Sequence, residues 1–181
     1  MRIALYAIFF TIPLLLPLSA RGIAPQGLPV CKAQGMTRHG NDVIIGLQQL
    51  SNIFNKQLSA AHSNFTDLHL SAQGGDKLMV SGKNNGTPVS ISGPLQAAGN
   101  GSLKLHADQI VQNGTPEKGL MDLTGKDLAD FAHFTNTQSL SARGNDIFIH
   151  PDPLLNLSGR VTGVSLKGSN VILQFASQPC R

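Results

Sequence analysis

"LHLSAQGGDKLMVSGKNNGTPVSISGPLQAAGNGSLKLHA", residues 68–107, decides the fold class. Apolar and polar side chains alternate through five short runs, at 68–72, 77–80, 89–91, 95–97 and 103–107. A period of two sends successive side chains to opposite faces of an extended chain, so each run reads as a half-buried strand. Between them stand Gly74-Gly75-Asp76, Asn85-Gly86, Gly93-Pro94 and Asn100-Gly101, all turn signals. The expectation is an antiparallel meander with one apolar face, which needs something to cover it.

The cover lies just upstream. After the apolar run of residues 41–45, Leu47, Leu50, Phe54 and Leu58 recur at helical spacing, with Gln48, Gln49, Asn52, Asn55 and Lys56 between them. That pattern predicts an amphipathic helix of about three turns, entered at Gly46. Downstream, 140–142 and 147–149 flank Arg143-Gly144-Asn145-Asp146, and 161–166 faces 171–175 across Lys167-Gly168-Ser169-Asn170, giving two further hairpins. Thr124-Gly125-Lys126-Asp127 resembles a capping box that opens a second short helix through Leu128 and Phe131. The fold class expected is α+β: a curved antiparallel β-sheet over one longer amphipathic helix, with a second, short helix.

The chain starts with a basic residue, an uncharged apolar run to Leu18 and the small residues Ser19-Ala20. This has the three parts of a secretory signal peptide over residues 1–20; a membrane anchor is the weaker reading, because the run is short and carries Pro13 and Pro17. Residues 21–40 are rich in Gly and Pro and read as an extended lead, and residues 41–181 as a single domain. In an oxidising compartment Cys31 and Cys180 are expected to form a disulfide. Closing a loop of about 150 residues would stabilise the fold by about 5 kcal/mol in the chain-entropy model. Pro29-Val30 disfavour a lipidated Cys31, since small residues are needed there.

Several function classes find no support. The formal charge of +4 is spread over single Lys and Arg residues with few aromatic rings, so no nucleic-acid surface is expected. In the stretch from Asn113 to Phe131, five residues separate Gly119 from Gly125, and Asp127 follows Lys126 where a phosphate loop needs a hydroxyl. No G-x-S-x-G or S-x-x-K motif occurs, and neither cysteine has a base beside it in sequence. The six histidines form no i, i+2 or i, i+4 pair, so no metal or other cofactor is expected. His106 and Asp108 would share a strand face, which suits a surface hydrogen bond. The only glutamate is Glu117, and the aspartates form no recognisable catalytic pair. An enzyme is not expected.

"DVIIGLQQLSNIFNKQLS" (42–59), "LKLHADQIVQNGTPEKGLMDLTGKDLADF" (103–131), "RGNDIFIHPDPLL" (143–155) and "SGRVTGVSLKGSNVILQF" (158–175) together resemble the LmeA-type periplasmic phospholipid-binding proteins. The resemblance implies a lipid-cradling, TULIP-like domain without catalytic residues. It implies an exported protein, periplasmic or secreted, that binds or shuttles phospholipid or another acyl lipid and makes peripheral membrane contact. The candidate groove lining is Leu47, Leu50, Phe54 and Leu58 from the first helix with Leu120, Met121, Leu128 and Phe131 from the second. Lys104, Lys126 and Arg160 are the candidates for meeting headgroups. The alternative is an envelope scaffold or protein-interaction module with a solid core.

Overall fold

The structure, a computed structural model, describes residues 35–131 and 139–177, without the side chains of Leu120 and Phe131. The expected signal peptide, the expected Cys31–Cys180 disulfide and most of the lead lie outside those residues. The described end of the lead is not merely extended: β1 (Met36–His39) turns at Gly40 and pairs antiparallel with β2 (Asp42–Gly46). Gly40 has a positive φ of 60°, which a glycine adopts at no steric cost.

Helix α1 (Leu47–Ala60) follows without a loop. Gly46 offers no capping side chain, and the amide of Leu47 instead donates to the carbonyl of Ser169 at 2.7 Å, across the molecule. At the other end Ser63 N–H reaches Leu58 C=O and His62 N–H reaches Ser59 C=O, with His62 at φ 51°. This is a Schellman ending with histidine in the left-handed position, and it satisfies carbonyls that the helix leaves free.

The meander comes next, as β3 (Phe65–Ala72), β4 (Lys77–Asn84), β5 (Thr87–Ala97) and β6 (Leu103–His106). Asn85 and Gly86 both take positive φ, 50° and 81°, the geometry of the tight turn that matches strand twist. Gly93-Pro94 is not a turn. The runs 89–91 and 95–97 belong to one strand, β5, whose residues 87–94 pair with β4. On its other side β5 changes partner at this point: residues 89–92 pair with β7 (Gln109–Gln112), and 95–97 pair with β6. The His106 carbonyl lies against the α-carbon of Gly93, leaving no room for a side chain.

A second Asn-Gly turn, at Asn113 and Gly114, leads to β8 (Thr115–Pro116) and then α2 (Lys118–Thr124), which ends at Gly125 with φ 67°. The expected capping box falls three residues later. Asp127 and Asp130 exchange side-chain-to-amide hydrogen bonds of 3.1 Å in both directions and open α3 (Leu128–Phe131). Thr124 Oγ1 turns back to Met121 C=O instead.

β9 (Leu140–Arg143) and β10 (Asp146–Ile149) form the predicted hairpin, α4 (Pro151–Leu155) follows, and β11 (Val161–Lys167) pairs with β12 (Asn170–Phe175). Two sheets result. One has the order β1-β2-β12-β11; the other, longer and curled, runs β3-β4-β5-β6-β10-β9, with β7 beside β5 and β8 beside β7. The fold is therefore α+β and mostly antiparallel β. Val43, Ile45, Val171 and Leu173 of the first sheet and Leu78, Ile91 and Leu105 of the second are each at most 2% exposed and belong to one core with α1.

Candidate functional site

Helix α1 sits on the core through Leu47, Leu50, Phe54 and Leu58, each 3–5% exposed. Their i, i+3, i+7, i+11 spacing puts them on one stripe, as the sequence predicts. Met121 and Leu128 join the same core at 6% and 0% exposure, while the side chains of Leu120 and Phe131 lie outside the described residues.

Between Phe54 and the longer sheet lies a cavity of about 30 Å³, bounded by Leu68, Leu78, Leu105 and Ile147 among others, with no polar atom in its wall. A second, of about 10 Å³, lies toward the four-stranded sheet, and Phe54, Leu78 and Ile149 line both. One water-sized probe needs roughly 10–15 Å³, so these spaces hold at most a methyl group or two. Among the described residues no space of acyl width separates helix and sheet.

A polar clip explains why the helix seats so closely. Ser51 Oγ accepts from the amide of Leu70 at 2.9 Å and donates to Leu47 C=O at 2.8 Å. One turn on, Asn55 takes both the amide and the carbonyl of Leu68 at 2.8 Å each. An edge strand carries unpaired backbone groups, and here helix side chains satisfy those of β3. The sequence marks Asn55 only as a polar-face residue, because its partners become visible only when β3 is placed beside it.

Two of the three headgroup candidates have partners of their own. Lys104 is 3.9 Å from Asp146, which also binds His106 Nδ1 at 2.6 Å across β6 and β10. His106 thus pairs with Asp146, and Asp108 pairs with Lys77 at 3.3 Å. Arg160 is exposed and donates to Gly99 C=O at 2.7 Å. Lys126 is exposed in the α2–α3 turn, among Asp122, Asp127 and Asp130, whose charges oppose an anionic headgroup.

A different space opens on the far side of α1. Gln49, Asn52, Ile53 and Lys56, at i, i+3, i+4 and i+7, form a second stripe that faces α4, and Met36 closes one end. The cleft holds about 390 Å³, and Gln57 Nε2 spans from α1 to Pro153 C=O at 3.5 Å beside it. Its sequence signal is Ile53, a half-buried apolar residue on the otherwise polar side of the helix. Comparison with known proteins finds no matching family model, no similar curated protein and no similar solved structure.

Proposed function

We propose that the protein is an exported, non-enzymatic acyl-lipid-binding or lipid-shuttling protein of the cell envelope, related to the LmeA-type proteins. In this reading the curled sheet and α1 form the cradle, in the TULIP-like manner, and a phospholipid tail separates them. One observation carries it: the wall of the space between Phe54 and the longer sheet is wholly apolar. Burying ten methylenes gains about 8 kcal/mol; against it stand the three hydrogen bonds between α1 side chains and the β3 backbone, roughly 2–4 kcal/mol together, and the packing of Leu50, Phe54 and Leu58, which the tail would have to replace. Among the described residues no helix is long and apolar enough to cross a membrane, and this reading has the protein meet lipid from outside the bilayer.

The closed interior favours a second reading, an interaction module with a solid core whose sheet edge pairs with a partner protein. Native mass spectrometry separates the two. Protein recovered from membranes, or incubated with phospholipid vesicles, is expected to carry adducts of phospholipid mass. A spectrum that stays free of adducts rejects lipid binding, and cross-linking that then returns one dominant protein supports the interaction module.

A further inference from the structure

The lipid reading leaves the cleft between α1 and α4 without a role. We infer that it binds a small anionic amphiphile, a compound with a compact apolar body and a carboxylate or similar acid group. At about 390 Å³ it falls within the range of roughly 300–1,000 Å³ common for small-molecule sites. Its wall is mixed, with apolar surface supplied by Met36, Ile53 and Leu155 and amides by Asn52 and Asn156. Lys56 brings the positive charge, and among the described residues no acidic side chain lines the cleft to oppose it. Ile53 and Lys56 are three residues apart on one helix, so the apolar body and the acid group of a single ligand reach both at once.

Octanoate titrated into isotopically labelled full-length protein tests this by nuclear magnetic resonance. Saturable shifts are expected at the side-chain amides of Asn52 and Asn156 and at the backbone of Ile53 and Lys56. An exposed charge contact is modest, so Lys56→Gln is expected to weaken binding about two- to fivefold, and Lys56→Glu more. Lys56 is exposed, and an otherwise unchanged spectrum will show that each variant is folded. The neutral octanamide is expected to bind more weakly than octanoate. The inference is overturned by the absence of saturable shifts, or by shifts that Lys56→Glu leaves intact. Shifts confined to Leu68, Leu78 and Ile149 also overturn it, and they would support the interior acyl site instead.

Discussion

Ser51 is 1% exposed and serves two backbone groups, which makes it the most demanding polar position on α1. Ser51→Ala strands the buried amide of Leu70 and is expected to cost about 1–3 kcal/mol, read as a lower midpoint in urea unfolding. Asn55→Ala, which strips both backbone groups of Leu68, is expected to fall in the same range of about 1–3 kcal/mol. Amide exchange at Leu68 and Leu70 checks the cause, because both should speed up before the rest of β3 does. Ser71 presents the opposite case: its Oγ is buried without a hydrogen-bond partner. Ser71→Ala therefore removes a desolvated hydroxyl and is expected to raise stability by about 1 kcal/mol, visible as a higher melting temperature.

Strand β5 shows how one residue governs an element. At Gly93 an added Cβ would run into the backbone carbonyl of His106, which cannot swing aside. Gly93→Ala is expected to cost about 3 kcal/mol or more, whereas Gly163→Ala in β11 meets mainly the exposed side chain of Gln174 and is expected to stay within about 1 kcal/mol. Chemical denaturation of both variants checks the contrast. The same glycine marks where sequence reading falls short. Asn85-Gly86 and the 143–146 segment are legible as turns because a turn is decided by its own few residues. Gly93-Pro94 has the same local look, yet its role is set by β6 and β7, which come later in the chain. Helix α1 is legible from its apolar stripe, while its clip to β3 and its outer cleft depend on elements that the stripe does not mention. β1 and β7 lack the alternation that marks a strand, since Met36 is followed by three polar residues and Ile110 and Val111 are adjacent.

At the scale of the molecule, Phe54 stands between two apolar spaces that share three of their walls. Truncating it should join them. Phe54→Ala is expected to cost about 3–5 kcal/mol and to leave a dry apolar hole able to take benzene or xenon. Benzene should then raise the melting temperature of the variant and leave that of the parent unchanged. The four-stranded sheet adds a further point, since β2, from the beginning of the described chain, finds its partner in β12, from the end. During synthesis Ile45 and Val43 must wait, uncovered, until Val171 and Leu173 have left the ribosome. A polypeptide built this way stays pliable for most of its birth, which, on the export reading proposed above, would suit threading through a narrow translocation pore before it sets.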